Sequence, residues 1–218
     1  MWANTEEITV IIVFGLRIVW STIATGVFHC RRCGGDRQYR HRTGRRFFTL
    51  FWIPVIPLNK VGEDVRCETC KTRYSTNVLT APTVAATQAA IQVAVTDGVR
   101  GVVSVMLQAG DPSSVASRAK ALQFATGAGV AGYNEEALAA DLARPADQWR
   151  PAIQALGAQV QPEAKEWHLA ELLRIAMADG PLTEAERVTA QGLAQDLGMT
   201  PAQTVGVISL MEQAASVE

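Results

Sequence analysis

The chain is poor in cysteine, histidine and aromatic side chains, and each shortage narrows what it can be. Its 218 residues hold four cysteines, three histidines and 6% aromatic residues. No Lys or Arg precedes the first apolar run, where only Glu6 and Glu7 stand. That argues against a cleavable signal peptide, and for cysteines that are reduced and metal-bound rather than paired as disulfides. No Gly-rich phosphate loop, nucleophile elbow or spaced His/Glu metal motif appears. His168, the only histidine after residue 41, has no cysteine partner. The expectation is therefore a non-enzymatic protein. Charge is not scarce but divided, because the net charge of −1 hides a split. Residues 1–76 carry twelve bases against six acids, and the rest eight against fifteen. Opposite signs in the two halves suggest two domains.

The cysteines that are present form two Cys-x-x-Cys pairs, Cys30/Cys33 and Cys67/Cys70. A two-residue gap lets one tight turn aim two sulfurs at one ion, and two such turns complete a tetrahedral zinc shell. Gly34 and Gly35 relieve the backbone after the first pair. A lone pair could be a redox dithiol, but no βαβ pattern surrounds either of these. Four thiolates leave no open position, so the expected zinc is structural; iron or disulfides are the alternatives. His29 and His41 then read as ordinary surface histidines.

The segment between the pairs should carry strands. RQYRHR alternates in polarity, and FFTLFWIPVI is aromatic and β-branched. Pro54 and Pro57 are expected to end a regular ladder beyond Ile53. A membrane span at 47–58 is excluded by those prolines and by its 12 residues, against the ~20 a helix needs. The run at 8–28 is long enough to span, but Arg17 near its centre would cost at least ~2.5 kcal/mol. Its Val, Ile and Thr density predicts two strands, with breaks at Gly15 and Gly26; a membrane anchor is the alternative.

Residues 14–74 also resemble an actinobacterial-type zinc-ribbon family. They carry FGLR, FHCRRCGG, RRFFTLFWIPVIPL and GEDVRCETC in order. The resemblance implies that Cys30, Cys33, Cys67 and Cys70 hold zinc. Two positions depart from it: Arg31 stands where Pro often opens the first knuckle, and Lys71 where Gly often follows the second. The arginines of this stretch, with Arg37, Arg40, Arg42, Arg45 and Arg46 as candidate contacts beside Tyr39, Phe47 and Phe48, also admit nucleic acid. The plainer reading is a solvated ribbon face, since nothing in the motif reads bases.

STNVLTAPT has linker composition, and beyond it alanine becomes abundant and apolar residues recur at helical spacing. Helix starts are expected at Asp111–Pro112, Asn134, Pro145, Pro162, Thr183 (a capping box with Glu186) and Thr200, with stops at Gly180 and Gly198. One or two further helices are expected in 84–109. A weak echo links Asp97-Gly98 with Asp179-Gly180. The segment ADGPLTEAERVTAQGLAQDLGMT resembles the TerB-like domain of tellurite-resistance proteins. That resemblance implies a helical fold, a tie to metal-oxyanion or envelope stress, and an acidic metal site at Asp179 and Glu186, with Asp97 from the first copy. The segment is not an EF-hand, because Ile175 and Met177 would occupy the first and third ligand positions. Turn and cap roles for Asp179 and Glu186 are the plainer reading.

The expected architecture is α+β in two domains. A β zinc ribbon with its preceding strands spans 8–75, a linker 76–83, and an all-α TerB-like domain of six or seven helices 84–216. The expected function is a zinc-binding cytoplasmic adaptor working through protein partners, with a nucleic-acid regulator and a membrane-associated protein as alternatives.

Overall fold

The computed structural model describes residues 14–215. Residues 8–13 of the expected first strand and residue 216 lie outside them. The described chain is mixed α and β, with one four-stranded antiparallel sheet followed by seven helices. Two compact units divide between Gln88 and Ala89.

The first unit is a meander, β1 (Phe14–Cys30), β2 (Gly35–Leu50), β3 (Ile53–Cys67) and β4 (Arg73–Tyr74), paired in that order. Two strands with breaks were the expectation for 8–28; β1 instead runs unbroken through Gly15 and Gly26. Gly26 pairs with Tyr39, whose ring lies so close that a Cβ on Gly26 would meet it at 3.0 Å. Gly44 pairs with Trp20 in the same way, at 3.1 Å. An aromatic side chain fills the space each glycine leaves, so the glycine stays in the ladder instead of ending it.

The run at 47–58 is the tip of a hairpin. β2 ends at Leu50, and β3 starts at Ile53 after a two-residue turn. Phe51 (φ 49°) and Trp52 (φ 65°) are both left-handed, the φ signature of the type I′ turn that suits strand twist. Pro54 and Pro57 do not end the ladder as expected. They lie within β3, opposite Thr49 and Phe47, with register slips beside them. They are tolerated because β3 has only one partner here; β4 reaches no further than Val65 and Arg66.

The expected linker also has structure. Thr76–Leu79 form a 3-10 turn, and Val78 and Leu79 pack on the cysteine cluster. Helix α1 (Val84–Ala109) then starts from two caps. Thr83 Oγ1 accepts from the Ala86 amide (3.1 Å), and Asp36, 48 residues earlier, accepts from the Val84 and Ala85 amides (2.9 and 3.0 Å). These amides have no intrahelical acceptor, so a carboxylate there satisfies them and complements the helix dipole. The same bonds hold the Asp36 carboxyl below its ordinary pKa. Thr76–Ala109 is long and apolar enough to cross a bilayer by length and composition. The apolar window that meets this test is unburied, and α1 becomes core only from Gly98 onward, where Val99, Val102, Val103, Met106 and Leu107 are buried.

The second unit adds α2 (Val115–Gly127), α3 (Glu135–Leu142), α4 (Arg150–Gln159), α5 (Pro162–Ala176), α6 (Glu184–Asp196) and α7 (Pro201–Ala215), with a 3-10 turn at Ala146–Trp149. Leu169, Leu172 and Leu173 of α5 are fully buried at its centre. The expected caps at Asn134, Thr183 and Thr200 form, and Gly198 (φ 74°) follows α6. Three expectations fail. Asp111 makes a turn with the Ser113 amide, and Ser114 caps α2. Helix α5 ends at Ala176, before Gly180, which is not left-handed. The Asp-Gly echo is no structural repeat, because Asp97-Gly98 sits inside α1 while Asp179-Gly180 sits between α5 and α6. Gly98 is needed for packing: a Cβ there would fall 2.3 Å from Leu156 Cβ.

Candidate metal centre

β1 and β3 each deliver a cysteine at their final residue, Cys30 and Cys67, and each is followed by a tight turn. In the first, the Cys33 and Gly34 amides donate to the Cys30 carbonyl (3.1 and 3.0 Å), with Gly34 at φ 66°. In the second, the Lys71 amide donates to the Cys67 carbonyl (3.0 Å), with Lys71 at φ 60°. Lys71 thus takes the left-handed position that Gly34 fills in the first turn, a conformation costing a side-chain-bearing residue ~1 kcal/mol or more.

All four sulfurs lie within 4.8 Å of one another, and Cys30 Sγ and Cys70 Sγ are 3.7 Å apart. A tetrahedral ion with Zn–S bonds of ~2.3 Å requires sulfur–sulfur edges of ~3.8 Å. The donor set therefore fits a tetrahedral thiolate centre. Hydrogen bonding to Thr72 pulls Cys70 down to about 6, while burial and the neighbouring thiols push Cys33 up to about 12. Four sulfurs this close cannot all ionise by themselves, and a divalent cation removes the conflict.

Phe28 and Tyr74 form the wall. Phe28 is 1% exposed, two residues before Cys30 on the same strand face, and stacks edge-on against Tyr39 and Tyr74 (5.7 and 5.5 Å). Tyr74 Oη lies 3.2 Å from Cys30 Sγ. Sequence reading gave neither residue a role; the only signal is an aromatic within a few residues of each knuckle. His29 faces Asp36 (3.7 Å) and His41 bonds Glu63 (2.8 Å), so neither joins the sulfurs.

The arginine stripe is largely committed to the sheet. Arg42 is 8% exposed and binds Asp64 through two bonds (2.9 and 2.7 Å), under the Trp20 ring. Arg40 pairs with Glu68 (3.1 Å), and Arg37 donates to the Asp36 carbonyl (2.7 Å). Of the five, Arg37, Arg45 and Arg46 are exposed without an ion pair among the described residues, and Arg45 and Arg46 lie towards the distal half of the ribbon.

The acidic candidates are not brought together. Among the described residues the four cysteines are the one group of three or more His, Cys, Asp or Glu ligand atoms that converges. Asp97 pairs with Arg100 (3.6 Å), and buried Glu186 closes its capping box on Thr183 (2.8 Å). The polar centre of this unit is one the sequence reading missed. Asp141, 1% exposed, takes two bonds from Arg100 (2.8 and 2.6 Å) and one from Tyr133 Oη (2.9 Å). Burial beside that carboxylate raises the Tyr133 pKa.

No family model, curated protein or solved structure matches the chain.

Proposed function

We propose that the protein is a non-enzymatic adaptor in which a structural zinc ion holds a long β-ribbon as a binding element. The convergence of four cysteine sulfurs with a 3.7 Å edge carries this reading. Such a closed set leaves no position for substrate, and zinc suits tetrahedral thiolate better than other common divalent ions. What the metal end supports is the opposite end, where Phe51, Trp52 and Ile53 are 47%, 72% and 65% exposed. Exposed apolar surface of this kind marks an interaction site. A place in metal or envelope stress rests solely on the TerB-like sequence resemblance of the helical unit, which no family model matches. The test is metal analysis of the purified full chain. One zinc per chain is expected, lost with Cys67→Ser while helical ellipticity persists. Substrate turnover by the zinc-loaded protein, or retention of the metal by Cys67→Ser, would overturn the reading.

A further inference from the structure

Distribution of charge and apolar surface along the ribbon says what its far end meets. Residues directly opposite in β1 and β2 share a face. One face reads Phe14/Leu50, Leu16/Phe48, Ile18/Arg46 and then Trp20/Gly44. The other reads Gly15/Thr49, Arg17/Phe47, Val19/Arg45. Phe14 and Leu16 are 71% and 63% exposed, and Phe14 stacks on Phe48 at 6.3 Å. Among the described residues no core covers this apolar surface. Residues 14–20 and 44–62 contain Arg17, Arg45, Arg46 and Lys60; Glu63 follows directly and pairs with Lys60, so the three arginines are the cations of this stretch without an ion pair among the described residues.

The order along the axis matters as much as the composition. The aromatic turn comes first and aliphatic pairs follow. Arg46 stands four residues behind Leu50, ~13 Å at the usual strand rise. Arg45 and Arg46 lie on opposite faces, so cations flank the ribbon on both sides at one depth. Amphipathic elements enter ~5–10 Å at the headgroup–acyl boundary, where Trp settles and Lys and Arg reach phosphate. Pro54 and Pro57 have no amide N–H, so this end of β3 has two fewer donors to desolvate on entering lipid.

We infer that the distal ribbon is a tip-first docking surface for an anionic lipid bilayer, with Phe51, Trp52 and Ile53 entering the interface and Arg17, Arg45 and Arg46 meeting lipid phosphates. This rests on the ribbon being the binding element of the adaptor, and names what it binds. A protein surface would need acids to match the cations and an apolar groove to take the tip, whereas an anionic bilayer offers both layers in the order the ribbon presents them.

Flotation of the zinc-loaded full chain with vesicles tests it. Binding is expected to vesicles of mixed anionic and zwitterionic lipid, falling as salt rises, and not to zwitterionic vesicles alone. Phe51→Ser with Trp52→Ser is expected to weaken partition about tenfold or more. Arg45→Gln with Arg46→Gln is expected to weaken it about fivefold for each charge removed. Both pairs are exposed, and zinc content of one per chain verifies the fold. Failure of the unaltered chain to bind anionic vesicles, or equal binding by the tip variant, overturns the inference. Self-association in sedimentation velocity that the tip variant loses, without vesicle binding, identifies a second copy as the occupant; the lipid inference then falls and the adaptor reading stands. Vesicle binding that survives both the tip substitutions and removal of zinc overturns both.

Discussion

The two units bury themselves by different physics. Among the described residues, the helical unit has one cluster of twenty-five buried apolar side chains, and the ribbon has a cluster of three, Phe28, Cys30 and Cys67. A helical core of that size is held by apolar area at ~25 cal/mol per Å². The ribbon has too few buried side chains for this, and leans instead on converging thiols, aromatic–glycine pairs and one buried ion pair. The difference teaches that a long sheet can be ordered while leaving its apolar residues outside, if something other than a core fixes its strands.

The largest test of that contrast is chelation. Because metal binding and folding are linked in small thiolate domains, removal of zinc is expected to abolish slow hydrogen exchange throughout β1 to β3. Helical ellipticity at the α5 core should change little. Loss of both signals in step would show that the contrast is false and that the units stand or fall together.

Next come the two buried carboxylates. Asp141→Ala takes the buried acceptor from Arg100 and Tyr133, leaving Arg100 only its exposed pair with Asp97, and is expected to cost about 2–3 kcal/mol, read from the denaturant midpoint of the helical signal. Asp64→Ala strands Arg42 beneath Trp20 and should cost the ribbon a similar amount. The helical signal should ignore Asp64→Ala, and the ribbon's hydrogen exchange should ignore Asp141→Ala.

Packing gives a smaller effect. A methyl on Gly98 would collide with Leu156, so Gly98→Ala is expected to destabilise the helical unit by about 1–3 kcal/mol despite alanine's better helix propensity. In the ribbon, Gly26 and Gly44 are covered by side chains that can turn away, and the same change there should cost less. Smallest of all is Lys71→Gly. It relieves a left-handed residue at the second knuckle and should stabilise the zinc-loaded ribbon by about 1 kcal/mol, seen as a higher chelator concentration at half-unfolding.

Local chemistry made much of this legible in the sequence. The Cys-x-x-Cys pairs lead directly to the cluster, and the caps at Asn134, Thr183 and Thr200 are encoded within three residues of where they act. Features that join distant positions were not legible. Nothing near Gly26 announces that Tyr39 will cover it, and nothing near Gly15 or Gly26 distinguishes a covered glycine from a break. Asp141 looks like one more acid on an amphipathic helix until Arg100 and Tyr133 arrive from elsewhere. The prolines misled because their rule depends on whether β3 has neighbours on one side or two, which is a property of the sheet. Arg42 seemed available to phosphate because its partner, Asp64, lies on another strand.

One such long-range contact has a thermodynamic consequence. Asp36 lies three residues beyond Cys33 and holds the first amides of α1, so the start of that helix is set by the metal-end turn as well as by Thr83. Linkage makes this reciprocal. If zinc steadies Asp36, it suppresses fraying of the first turn of α1 by some factor, and any influence that frays that turn loosens zinc by the same factor. With zinc bound as proposed, the helix start would report metal occupancy through exchange at the Val84 and Ala85 amides.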